Sequence, residues 1–126
     1  MTAAADVCRG YLEAFSTGDS DAVAAFVTDD FINEHTAALG SGCVGAGEYR
    51  QRLPGFLGSM PGLHYDIDDV VADGDRVYAA YTLRATVNER PIAVRGVMRF
   101  MVRDGRIRHR VDYWDSPVFQ RQAGLA

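Results

Sequence analysis

No apolar run in this sequence approaches the ~18 residues that a membrane-spanning helix needs. Cysteine is scarce too, with only Cys8 and Cys43 in 126 residues. The two show neither metal-ligand nor C-x-x-C spacing, and "MTAAADVCRGYLEAF" has no basic cluster followed by an apolar stretch. Both thiols are therefore expected to be reduced and the protein cytoplasmic. Positive charge is in deficit as well: a formal net charge of −4 and a pI near 5.2 argue against nucleic acid as the main partner, since phosphate binding rests on surplus Lys and Arg. The glycine-rich "LGSGCVGAG" lacks the preceding apolar strand and the GK[ST] ending of a phosphate cradle and reads as a loop. His64 and His109 fall on segments far in pattern from His35, so no ligand set converges. Neither a metal nor another cofactor is expected.

What is present suffices for one core. At 48% hydrophobic, the chain is expected to form a single domain over residues 1–126 without staples. Val7, Tyr11 and Phe15 recur at i, i+4, i+8 with Cys8 and Leu12 on the flank, one apolar face of a helix over residues 3–16. "STGD" stops it, and Asp19 or Ser20 can cap a short second helix running through Val23 and Phe26. A third helix is expected at Glu48–Leu53, with Pro54 kinking or ending it.

The stretch "FINEH" reads as a strand, with Asn33 and His35 on one face and Glu34 on the other. After "GSMPG" the period changes to two. Four segments follow at roughly 63–73, 75–87, 91–103 and 106–115, separated by "DGD", "NERP" and "RDGR" turns. Val77, Ala79, Tyr81, Leu83 and Ala85 share one face of the second; Ile92, Val94, Gly96, Met98 and Phe100 oppose Arg95, Arg99 and Arg103 in the third. Helices first and a meander after them describe an α+β domain with helices over one sheet face. In the last segment, periodicity alone buries Ile107, Val111 and Tyr113 and leaves Arg108, Arg110, Asp112 and Trp114 outside.

The stretches "YLEAFSTGD", "FINEH", "GDRVYAAYTLRA", "RGVMRFMVRDGRI" and "RVDYWDS" together resemble the nuclear transport factor 2-like superfamily, specifically its SnoaL-like branch. That branch contains polyketide cyclases, and limonene-epoxide hydrolases and ketosteroid isomerases are relatives. The resemblance covers nearly the whole chain. It implies a cone in which a strongly curved, mainly antiparallel sheet and the N-terminal helices enclose an apolar cavity. It also implies that Tyr81, Leu83, Gly96, Met98, Asp112 and Trp114 face inward, against the periodicity of the last strand. Ile107, Val111 and Tyr113 would then lie on the convex face, where many members dimerise, and a homodimer through that face is expected.

Carried over residue by residue, Asp112 matches the strand aspartate that the epoxide hydrolases use as one of two acid–base carboxylates. Asn33 and His35 match the positions that hold their nucleophilic water. The Arg-x-Asp that completes their machinery falls on Tyr81 and Leu83 and is absent. Tyr11 matches the helix tyrosine of the isomerase oxyanion hole, but the isomerase base falls on His35 and its second aspartate on Gly96.

Asp112 is thus the first catalytic candidate. A carboxylate on an apolar wall loses hydration, which favours proton transfer and lets an amide replace it without harm to the fold; the alternative is a structural ion pair with Arg110. His35 is the second candidate, as a base or as a partner that orients Asp112, against a half-exposed strand-end histidine. Tyr11, Asn33 and Tyr81 are candidate hydrogen-bonding groups, and Leu83, Met98, Phe100 and Trp114 candidate cavity wall. The expected function is cofactor-free acid–base catalysis on a small apolar polyketide- or terpenoid-type molecule, by proton transfer alpha to a carbonyl. Epoxide opening by water and a non-catalytic ligand-binding or assembly module are the alternatives.

Overall fold

Cys8, Tyr11, Leu12 and Phe15 are all but inaccessible to solvent, a spacing of three, four and seven that one helix face supplies. They belong to α1 (Ala3–Ala14) and the 3-10 turn that extends it (Phe15–Thr17) in a computed structural model that describes residues 3–125. Asp19 caps α2 (Ser20–Ala24), its carboxylate accepting from the backbone N–H groups of Asp21 and Ala22. The chain continues through β1 (Val27–His35), β2 (Cys43–Val44), α3 (Ala46–Ser59), β3 (His64–Asp73), β4 (Arg76–Val87), β5 (Arg90–Arg103), β6 (Arg106–Trp114) and α4 (Ser116–Ala123).

The six strands form one curved, unclosed sheet in the order β2-β1-β6-β5-β4-β3. All neighbours are antiparallel except β1 and β6. That parallel pair sets Asn33 beside Arg110 and His35 beside Asp112. The tight turn into β6 carries positive φ at Asp104 and Gly105, the Asp-Gly chemistry of a two-residue hairpin. Cys8 and Cys43 are buried free thiols, and burial pushes Cys8 up to about 12.

Three expectations need correction, and one element is new. Pro54 does not end α3, which runs on to Ser59; Pro54 is exposed, so water can take the carbonyl that its missing N–H leaves free. The glycine-rich segment is not wholly a loop, because Cys43 and Val44 pair with Asn33 and Ile32. A helix that the sequence reading did not name follows the sheet: Asp115 caps α4, with Pro117 in its first turn and Gly124 closing it at φ 74°. Finally, Ile107 is not on the convex face. Between β5 and β6 the register shifts, Met101 opposing His109 while Val102 opposes Ile107. Arg108 is the extra residue of a bulge. The strand therefore changes face once: Ile107 joins the core, and Arg110, Asp112 and Trp114 still point inward beyond the bulge. Val111 and Tyr113 keep the convex side, Val111 covered and Tyr113 exposed.

Candidate functional site

Between the concave sheet, the C-terminal half of α3 and α4 lies a cavity of about 440 Å³. Its walls are apolar: Phe56 from α3 and Met60 just after it, Leu83 and Val94 from the sheet, Trp114 and Phe119 at the α4 end, with Leu39 and Gly40 from the loop after β1. Its polar end is made by His35, Tyr65, Tyr81, Arg110 and Asp112. A smaller chamber of about 150 Å³ shares His35, Ser41, Phe56 and Arg110 with it and adds Asn33, Tyr49 and Arg52.

The polar end is a single network. Asp112 accepts from the Tyr81 hydroxyl on Oδ1 at 2.5 Å and from Arg110 Nη2 on Oδ2 at 3.0 Å. Both side chains of the ion pair are 5% exposed, so it is held out of water and depends on its hydrogen bonds. Arg110 Nη1 donates to the Tyr11 hydroxyl at 2.8 Å, and Tyr11 shares a 2.5 Å hydrogen bond with Tyr49. Burial first, and then the Asp112 charge, push the Tyr81 hydroxyl upward, which keeps it a donor. Burial does the same to Tyr11, Tyr49 and Tyr65.

Local sequence explains how Tyr81 gets there. Gly96 stands opposite Tyr81 on β5, and a Cβ at Gly96 would lie 2.4 Å from the Tyr81 hydroxyl. The missing side chain lets the phenol lie across β5 toward Asp112 on β6.

His35 sits beside the ion pair, its Nδ1 3.7 Å from Asp112 Oδ2 and 3.1 Å from the Trp114 indole nitrogen, which donates to it. Burial, reinforced by the Arg110 charge and opposed by Asp112, lowers its pKa to about 4. The ring is neutral near pH 7.

Of the expected site residues, the structure brings His35, Tyr81, Leu83, Asp112 and Trp114 to the cavity and Asn33 to the chamber. Tyr11 is fully buried behind Arg110 and touches the site through it. Met98 and Phe100 oppose Asp112 and Arg110 on β5 but lie packed in the core beneath the cavity. Glu34 faces away and pairs with His109. Arg110, Tyr65, Phe56, Met60 and Phe119 were not among the expected site residues. "DSP" at 115–117 with Gly124 seven residues beyond it is the helix signal that would have found α4 and with it Phe119.

The model of the SnoaL-like domain family matches residues 8–110. The chain belongs to that family. Among solved structures, an LEH-like epoxide hydrolase of M. tuberculosis superposes with a TM-score of 0.82 at 26% identity, over 95% of this chain and 89% of that one. A candidate polyketide cyclase of Xanthomonas campestris pv. campestris does so with a TM-score of 0.82 at 26% identity, over 96% of each chain. A hypothetical protein of ketosteroid isomerase-like fold from Catenulispora acidiphila DSM 44928, in complex with trimethylamine, reaches a TM-score of 0.87 over 96% of this chain and 94% of that one. At 17% identity, that likeness concerns the fold alone. No curated protein sequence matches this SnoaL-like chain significantly. Among the described residues no helix is long and apolar enough to cross a membrane.

Proposed function

We propose that this SnoaL-like protein is a cofactor-free acid–base enzyme that removes a proton alpha to a carbonyl in a small, largely apolar molecule. The observation that carries the reading is a buried carboxylate, Asp112, at the polar end of an otherwise apolar cavity. Asp112 is the base. Each of its oxygens accepts one hydrogen bond from the protein and keeps a lone pair for the substrate. Carboxylates as a class are weak bases and work best on an acidic carbon, so the favoured substrate is of polyketide type, with the reacting carbon flanked by two carbonyls.

The test is α-deuteration of cyclic β-keto esters in D2O followed by NMR. The expected result is exchange well above buffer, reduced by roughly 10²-fold or more, as loss of a general base implies, in Asp112→Asn at a temperature where circular dichroism shows the variant folded. Binding without exchange would instead make this a ligand-binding module.

One observation favours a second reading. The Asn33 carboxamide oxygen is buried beside the small chamber without a partner and is suited to accept from a water molecule, as epoxide opening requires. Against it, Leu83 stands where the second carboxylate belongs. Hydrolysis of limonene-type epoxides without carbon-acid exchange would decide for this reading.

A further inference from the structure

His35 is constrained from several directions. The Trp114 indole N–H, which can only donate, reaches Nδ1 at 3.1 Å. The loop backbone at Gly40 is so near that a Cβ there would lie 2.2 Å from the His35 Cβ. Phe119 stands edge-on to Trp114 and Trp114 edge-on to His35, with ring centroids 6.2 and 6.3 Å apart. With Nδ1 accepting, a neutral imidazole has one place for its proton, Nε2 on the opposite edge of the ring. Nε2 is not among the sealed polar atoms without a partner, which are Arg9 Nε, Asn33 Oδ1 and Arg110 Nε among the described residues. His35 itself lines both the cavity and the chamber.

Resting on the acid–base reading above, the geometry points to His35 as a neutral N–H donor to the substrate's carbonyl oxygen, and to Trp114 as the positioning residue that fixes its tautomer. Asp112 breaks the C–H bond and takes the proton, and the bonding pair becomes an enolate whose charge gathers on oxygen. Nε2–H donates to that oxygen. In a cyclisation, the enolate carbon then bonds to a second carbonyl carbon of the same molecule, and the new alkoxide takes the proton back from Asp112. Nothing is consumed. Neutrality is essential to this division of roles, because an imidazolium 3.7 Å from Asp112 would pair with the base and quench it. Burial, Arg110 on β6 and Arg52 on α3 all disfavour the charged ring, against Asp112 alone.

Two measurements test the assignment on the whole protein. Histidine side-chain ¹⁵N NMR should show His35 as the Nε2–H tautomer, and Trp114→Phe, which keeps an aromatic ring but removes the donor, should convert it to a mixture. Infrared spectroscopy of 4-phenylcyclohexanone as probe should show the bound carbonyl stretch lowered by wild-type protein. That shift should be largely kept in His35→Gln, which retains an N–H, and lost in His35→Ala. An Nδ1–H tautomer, or a carbonyl band that stays at its solution frequency with wild-type protein, overturns the donor role. A tautomer unchanged in Trp114→Phe overturns the role of Trp114. If both measurements succeed while α-deuteration fails, the donor assignment stands and the proposed reaction is what has failed.

Discussion

Asp112 carries its charge between Tyr81 and Arg110, which reverses what the sequence suggests about replacing it. A lone carboxylate on an apolar wall should tolerate its amide; a paired one should not. Asp112→Asn leaves the Arg110 charge buried without a counter-ion, and breaking such a pair costs about 3–5 kcal/mol. Denaturant unfolding should show a loss of that order, and the double variant Arg110→Met/Asp112→Leu should recover most of it, since removing both charges removes the unpaired one. An Asp112→Asn variant as stable as wild type would refute the structural weight given to the pair. His35 makes a separate prediction about pH. Its folded-state pKa of about 4 lies below the ordinary histidine value of 6.5, so between those values the unfolded chain binds a proton that the folded chain does not. Its contribution to stability is present above pH 6.5 and is lost as pH falls through about 4. The groups facing it are Asp112, Arg110 and Arg52. The melting-temperature gap between wild type and His35→Gln should therefore shift against wild type across that window; parallel curves would refute it.

Among the elements, β5 and α4 do most to shape the site. Gly96 leaves the gap that Tyr81 fills, and a methyl group there would meet the Tyr81 hydroxyl at 2.4 Å and the Tyr113 carbonyl at 2.7 Å. Gly96→Ala should therefore expel Tyr81 from Asp112 and cost roughly 1–3 kcal/mol, the scale of overpacking. Tyr81→Phe is the control, since it removes the same hydrogen bond without the clash and should cost less. α4 is tied to the sheet by Gln122, which accepts from the Ala93 N–H at 2.6 Å and donates to its carbonyl at 3.1 Å, and by Asn88, which donates to the Ala123 carbonyl. Phe119→Ala should loosen Trp114 without touching Asp112. The expected result is a tryptophan emission shifted to the red with unfolding still cooperative.

At the scale of the whole molecule, the convex face is where large apolar side chains are left uncovered. Val71, Tyr78, Val97, Met101 and Tyr113 are all substantially exposed there, and Val97 lies directly beside Tyr113 in the sheet. This gives the proposed homodimer an apolar surface, although Ile107 is no part of it. Light scattering should report twice the 13.8 kDa of one chain, and Val97→Arg should shift the equilibrium to monomer, because an uncompensated charge at the centre of an interface is costly to bury. A wild-type monomer at micromolar concentration would sink the proposal.

Local pattern was enough for α1, the existence of α2, the four long strands and their turns, because periods of 3.6 and 2 and the turn residues act over a few neighbours; it stopped α3 too early and did not name α4. It was also enough to set Asn33 and His35 on one face, and resemblance to a family brought Asp112 and Trp114 inward. The bulge at Arg108 lay beyond both readings, because a one-residue insertion is defined only against the partner strand. Each reading of β6 was consequently right for one half of the strand: periodicity for Ile107, resemblance for Asp112. The Tyr81–Asp112 hydrogen bond, the reach of Tyr81 over Gly96 and the edge-on alignment of His35, Trp114 and Phe119 likewise join side chains from different elements, whereas the Arg110–Asp112 ion pair lies within β6 and was one of the alternatives the sequence offered. Sequence determined which chemical groups were available and which way most of them faced. Only the tertiary structure decided which partner each would find, and so that Asp112 is an ion-paired carboxylate and His35 a neutral ring, because burial and hydrogen bonding across strands set those states.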